Sequence, residues 1–185
     1  MINKVFDAPQ NFLLNSGGQY LIRPIHHDDR IKLLNLFDSL SPKSRYFRFA
    51  HSMSALPESM LQHLLSPEAN SASEITLVAE VPISESSVNH PIPNSRIVGI
   101  SRCVGSGNKS SCEFSLSVSD DFHGEGVGSH LIQSIINFAH HKGFKDIYGY
   151  VLKNNHEMLD LMRHQGFSIY DEMEDDDFKL VRHNV

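Results

Sequence analysis

The chain has no tryptophan, and its 185 residues include only two cysteines. Two thiols, Cys103 and Cys112, cannot build the dense disulfide framework of a small secreted fold. The N-terminus has no basic stretch followed by an apolar one, so no signal peptide is read there. The cysteines are therefore expected to be reduced thiols, and the protein cytoplasmic. No Cys-x-x-Cys occurs, and the 12 histidines contain no His-x-x-x-His. His26-His27 and His140-His141 are adjacent, and neighbours on a helix do not share a face. A metal site is not expected from such spacing. Long apolar runs are absent as well, which leaves no candidate membrane span. Positive charge is not in excess, since 16 Lys and Arg face 22 Asp and Glu, for a net charge of -6. That balance argues against nucleic-acid binding as the main role. No internal repeat is visible. The length and ordinary apolar content suit one folded domain with one sizeable core.

What the chain does have is a glycine-rich turn between two strongly patterned segments. Over residues 113–118, Phe114, Leu116 and Val118 alternate with Glu113, Ser115 and Ser117. That is the period of a strand with two unlike faces. Val127, Leu131, Ile132, Ile135, Ile136 and Ala139 then recur at helical spacing, with Gly143 as a stop signal. Gly124, Gly126 and Gly128 lie between them. The first N–H groups of a helix lack intrahelical partners and sit at the positive end of its dipole. A strand, glycine turn and helix in that order form an anion site, most often for phosphate.

The phosphate loop of nucleotide-binding proteins needs a lysine after its glycines, and none is present. The dinucleotide fingerprint needs Gly-x-Gly-x-x-Gly, whereas the spacing here is Gly-x-Gly-x-Gly. What remains is His123-x-x-Gly126-x-Gly128.

The rest of the chain reads in order. Residues 1–18 form an extended N-terminal arm without a strong period, and 19–185 one domain. A first strand covers 19–24 and ends at Pro24. Asp28 and Asp29 precede a helix bearing Ile31, Leu33, Leu34, Phe37 and Leu40. Another helix opens near Pro57 and carries Met60, Leu61, Leu64 and Leu65. Strands are expected at 74–81 and 96–104, separated by a Pro-, Ser- and Asn-rich surface loop over 82–95. Residues 105–108 read as a hairpin turn, so that Cys103 and Cys112 could sit opposite each other. A strand follows at 147–152. Asn154-Asn155 caps a helix with Met158, Leu159, Leu161 and Met162, ending at Gly166. A last hairpin, 167–170 with 178–181, is joined by an acidic run, 172–177, read as a solvated turn. The order predicts a mixed α/β (α+β) architecture, a central sheet with helices on both faces.

His123-x-x-Gly126-x-Gly128 resembles the Gln/Arg-x-x-Gly-x-Gly/Ala signature of the GNAT N-acetyltransferase superfamily, and the element order is similar to that fold from about residue 19 to 182. Ile22-Arg23-Pro24, Leu40-Ser41-Pro42-Lys43-Ser44-Arg45-Tyr46-Phe47-Arg48-Phe49, Val98-Gly99-Ile100-Ser101-Arg102 and Gly166-Phe167 resemble the acetyltransferase domains of bacterial protein lysine acetyltransferases. In those proteins the domain is often fused to another module; here only the acetyltransferase-like domain is expected. The resemblance implies a mostly antiparallel sheet and acetyl-CoA (CoA) as the acetyl donor. It implies that His123, Gly124, Glu125, Gly126, Val127, Gly128 and Ser129 cradle the pyrophosphate. It implies that Leu116 and Val118 belong to a strand that splays from 147–152 and offers its main chain to pantetheine, with Asn155 as a further pantetheine contact. It implies Glu113 as general base, and Arg45 and Arg48 on the acceptor side. The plainer readings are a solvated strand-end carboxylate for Glu113, a helix cap for Asn155 and surface charges for the arginines.

Two departures from the family pattern stand out. His123 replaces the usual basic or amide residue. Seven residues after Asn155, where many relatives carry a proton-donating tyrosine, stands Met162. Three functions stay open: acetylation of a protein lysine, acetylation of a small amine or amino acid, or a non-catalytic acyl-CoA-binding module. The expected partners are acetyl-CoA and an acceptor amine, with neither nucleic acid nor membrane, and the protein a monomer or homodimer.

Overall fold

The structure is a computed structural model and describes residues 8–66, 70–71, 73–83, 95–106, 110–171 and 177–185. Most of the expected 82–95 loop, the tip of the 105–108 turn and all but the last residue of the acidic run 172–177 lie outside the described residues.

Eight strands form one sheet: β1 Gln10–Leu13, β2 Gln19–Pro24, β3 Glu74–Pro82, β4 Ser95–Gly105, β5 Ser111–Val118, β6 Asp146–Leu152, β7 Ser168–Asp171 and β8 Phe178–Asn184. Their order across the sheet is β1-β2-β3-β4-β5-β6-β8-β7. Every neighbouring pair is antiparallel except β5 and β6, which run parallel. Among the described residues five α-helices accompany the sheet: α1 Arg30–Ser39, α2 Pro42–Phe49, α3 Glu58–Leu65, α4 Val127–Lys142 and α5 His156–His164.

Alternation along β3 divides the core. Leu77 and Ala79 pack in one cluster with Leu131, Ile132 and Ile135 of α4 and Met162 of α5. Val78, pointing the other way, packs with Leu33 and Leu36 of α1 and Leu61 of α3. Helices therefore cover both faces, as the pattern predicted. α2 lies over the polar face of β5, where Arg48 donates to Ser115 Oγ at 3.0 Å.

Two elements have weak sequence signals. β1, within the stretch read as an arm, pairs with β2 as an edge strand, with Phe12 opposite Tyr20. Only Phe12 of its four residues is even partly buried, so no alternating pattern marks it. Its ring stacks on His130 of α4, centroids 4.5 Å apart. α2 buries no residue fully. Local chemistry forms it instead: Ser41 caps it by accepting from Ser44 N at 3.1 Å, and Pro42 opens its first turn.

The cysteines are not opposite each other. Cys103 pairs with Phe114, and Cys112 with Gly105. Both are buried and free. A hydrogen bond with Cys112, then burial, pushes the Cys103 thiol well above its usual range.

Candidate active site

β5 and β6 pair only where residues 111–113 meet 146–148. Beyond that point β5 stays with β4 and β6 with β8, so the two strands part. Phe114, the first residue past the last pair, lays its ring against Gly149, where an added Cβ would come within 2.8 Å of it. The parted strands wall a cleft of about 590 Å³ that reaches from α2 to the glycine turn.

Ser119 N–H is used by Val98 O of β4, at 2.8 Å. Main-chain groups alternate sides along a strand, so the N–H and C=O of Val118 point into the cleft. His123 Nε2 donates to Val118 O at 3.1 Å, and its Nδ1 lies 3.5 Å from Glu157 Oε2. The ring thus links the end of β5 to the first turn of α5.

Gly124 and Gly126 have φ of +79° and +86°, a left-handed backbone that favours glycine. Val127 then begins α4, whose free N–H groups face the turn. The β1–β2 turn braces this loop. Asn15 Nδ2 donates to Gly124 O at 2.6 Å, Asn15 N to Glu125 O at 3.2 Å, and Ser16 N to Glu125 Oε2 at 2.9 Å. Sequence reasoning missed this brace. Asn15 lies in the unpatterned arm, and only the tertiary fold brings it to the loop.

Glu113, Leu116, Val118, His123, Gly124, Gly126, Gly128, Ser129, Asn155 and Arg48 all line the cleft. Three expected residues do not. The Glu125 carboxylate is turned to Ser16, and Val127 is fully buried in the core. Arg45 is turned back to the α1–α2 junction, donating to Leu40 O and Asp38 O with its guanidinium over the Phe37 ring. Asn155 Oδ1 accepts from Met158 N at 3.2 Å, so it caps α5 and also borders the cleft. Met162 has no exposed surface and packs in the core, so that position faces no ligand.

The end of the cleft away from the glycine turn is shaped by α2. Asp120 accepts from Ser41 N, Ser41 Oγ and Ser44 Oγ at 2.7–2.9 Å, pinning the start of α2 to the turn after β5. Partial burial pushes its carboxyl up, but these bonds outweigh that and hold it below the usual range. Arg48 reaches under α2 to Ser115. Desolvation there, then the Arg102 cation, pushes its guanidinium down to about 10, while Glu113 acts in the opposite sense.

The model of the acetyltransferase (GNAT) family matches residues 82–167, which span β4, the parted strands, the glycine turn and α5. The chain is 29% identical over 154 residues to an acetyltransferase of Pseudomonas aeruginosa, covering 83% of this chain and 77% of that one. The GNAT domain of S. lividans PAT superposes with a TM-score of 0.81 at 19% identity, covering 96% of this chain and 97% of that one. PaiA N-acetyltransferase of Thermoplasma acidophilum, in complex with coenzyme A, superposes at 0.62 with 16% identity, covering 90% and 99%. At these identities the two structures speak to the fold, and the family model to the segment that builds the cleft. Over residues 82–167 the chain matches the acetyltransferase (GNAT) family, in a fold shared with GNAT acetyltransferase domains.

Proposed function

We propose that this N-acetyltransferase moves the acetyl group of acetyl-CoA to a primary amine, a protein lysine in the first instance, by direct attack in a ternary complex with Glu113 as general base. One observation carries the reading: Glu113 is the last residue of β5 to pair with β6, so its carboxylate borders the opening of the cleft. Glu113 itself is exposed, which leaves room for an amine or a relaying water.

The chain's own groups divide the work. The turn from Gly124 to Gly128, with the first N–H groups of α4, receives the pyrophosphate. The main chain of Leu116 and Val118, which β6 does not pair, takes pantetheine as an added strand would, and Asn155 borders the same path. Val118 N–H polarises the thioester carbonyl, and a preorganised donor of this kind is worth about 3–4 kcal/mol in a transition state. The amine attacks that carbon, its proton passes to Glu113 directly or through water, and the C–S bond breaks. A thiol of pKa about 8.5 leaves readily as thiolate, so solvent can supply its proton without a tyrosine where Met162 stands. His123 would give up its Val118 bond to turn its Nε2–H towards phosphate. We assign the protein to the cytoplasm, where Cys103 and Cys112 stay as thiols.

A thiol-release assay with acetyl-CoA against proteins and small amines tests the reading. Release that depends on the acceptor supports it. Tight acetyl-CoA binding with no transfer to any amine would replace it with a non-catalytic acyl-CoA-binding module.

A further inference from the structure

We propose that the acceptor carries a carboxylate close to its amine, and that Arg48 with Ser115 holds that carboxylate. The inference rests on the acetyl-transfer reading above and names the acceptor chemistry of the same cleft.

The charges along the cleft are nearly all spoken for. Asp120 is satisfied by Ser41 and Ser44. His123 faces Glu157. Lys43 is exposed at the rim, over the Phe47 ring at 5.3 Å. Arg102, on the floor beneath α2, is neutralised by Glu74 at 2.6 Å. Apart from solvent-exposed Lys43, two charges are left, and they are opposite in sign. Among the described residues Arg48 makes no ion pair, and its one hydrogen bond goes to the neutral Ser115 hydroxyl. Glu113 makes none either, and the two feel each other without touching.

That arrangement is costly unless a ligand completes it. A half-buried guanidinium without a counter-charge is disfavoured. Its surroundings raise the cost, because Leu36, Phe37, Leu40, Phe49, Leu64 and Ile100 line an apolar recess beside it. The same low polarity strengthens any anion that arrives. The planar fork of an arginine fits a carboxylate with two parallel hydrogen bonds, and Ser115 could add a third donor once its oxygen is released. An amine directed at Glu113 and a carboxylate directed at Arg48 would leave neither charge unmatched. The carboxylate has two sources: the acceptor's own, in a free amino acid, or an acidic side chain next to the acetylated lysine in a protein.

The test is thiol release from acetyl-CoA by the wild-type protein with matched acceptors. One pair is a free amino acid and its carboxamide. The other is a lysine peptide with a flanking aspartate and the same peptide with asparagine. The carboxylate member should have kcat/KM higher by about tenfold in at least one pair, as expected for losing one charge-assisted hydrogen bond. The pair that responds identifies the source. In Arg48→Gln the ratio should fall towards one, and Arg48→Lys should recover part of it, since charge returns without the fork. Equal rates within both pairs in the wild type overturn the carboxylate site while leaving the enzyme reading intact. An undiminished ratio in Arg48→Gln removes Arg48 as its cause. No transfer to any acceptor, with acetyl-CoA binding retained by calorimetry, overturns both. The substrate comparison uses the unaltered protein, so a variant that fails to fold does not remove it.

Discussion

Glu113 of β5 stands opposite Tyr148 of β6 in the last register pair before the two strands separate. The pairing fixes where the cleft begins, and it fixes a carboxylate at that point. Val118 lies five residues further on, about 16 Å along a strand at ~3.3 Å per residue. That span is too long for Glu113 to touch the thioester carbonyl directly. The amine must enter between them, or a water must relay its proton.

Glu113→Gln preserves shape and removes the proposed base. At neutral pH, kcat should fall by about 10²–10⁴-fold, the usual range for general-base catalysis. Acetyl-CoA affinity by calorimetry should stay the same, because the glycine turn proposed to hold the pyrophosphate is at the other end of the cleft. The deficit should narrow at high pH, where more of the amine is already neutral. Full activity of the variant on the true acceptor would discard the assignment.

Gly128 is held by close packing, and Gly126 by backbone shape. A Cβ at residue 128 would lie 3.3 Å from Leu161 Cδ2 and 3.7 Å from Leu116 Cδ2. Gly128→Val should therefore weaken acetyl-CoA binding and also lower stability, by about 1–3 kcal/mol as for other overpacked sites. At Gly126 only Asn15 and His130 come near, so Gly126→Ala should act through the +86° φ that alanine resists. Its melting temperature should fall less than its acetyl-CoA affinity. Unchanged binding in both variants would mean that the turn is not the phosphate cradle.

Asn15 lies 109 residues from Gly124 in sequence and donates to its carbonyl. Asn15→Ala should raise the acetyl-CoA Kd by about fivefold, since a typical hydrogen bond is worth about 1 kcal/mol and here it pre-orders the turn. kcat at saturating acetyl-CoA should change little. Titration calorimetry with CoA reads this directly, and an unaltered Kd would make the brace structural only.

Acid stability should report the buried network at the β2–β3 side. Glu80 accepts from Arg23 Nε at 2.7 Å and also pairs with Lys32 and Ser95. Burial alone would raise its carboxyl, but the bonds from Arg23, Lys32 and Ser95 outweigh it and bring the pKa from 4.5 to about 2. The folded value lies below the unfolded one. The stabilisation is therefore complete above about pH 4.5 and is lost as pH falls towards 2. In urea titrations, Glu80→Gln should be less stable than wild type at neutral pH, and the gap should close across that window. A gap independent of pH would show that the charge of Glu80 is not what stabilises the fold.

Much of the architecture was legible because burial writes a period into sequence. Residues 113–118 alternate and 127–139 repeat at helical spacing since one face of each is packed and the other is not, and the glycine turn between them carries its own chemistry. From those stretches the glycine turn could be read as a candidate anion site, whereas Glu113 and Asn155 were named from the resemblance to the GNAT superfamily. Elements that bury little were silent. β1 is an edge strand and α2 rests on a polar face, so neither needed an apolar stripe. Side-chain direction was equally hidden. Arg45 and Arg48 are three apart in one motif, yet one folds back on Phe37 and the other enters the cleft. Glu125 turns to Ser16, and Met162 sinks into the core. A linear pattern records what a residue needs from water. Which distant carbonyl, ring or opposite charge it meets depends on how the sheet orders its strands and where β5 and β6 part, and only the tertiary structure decided that.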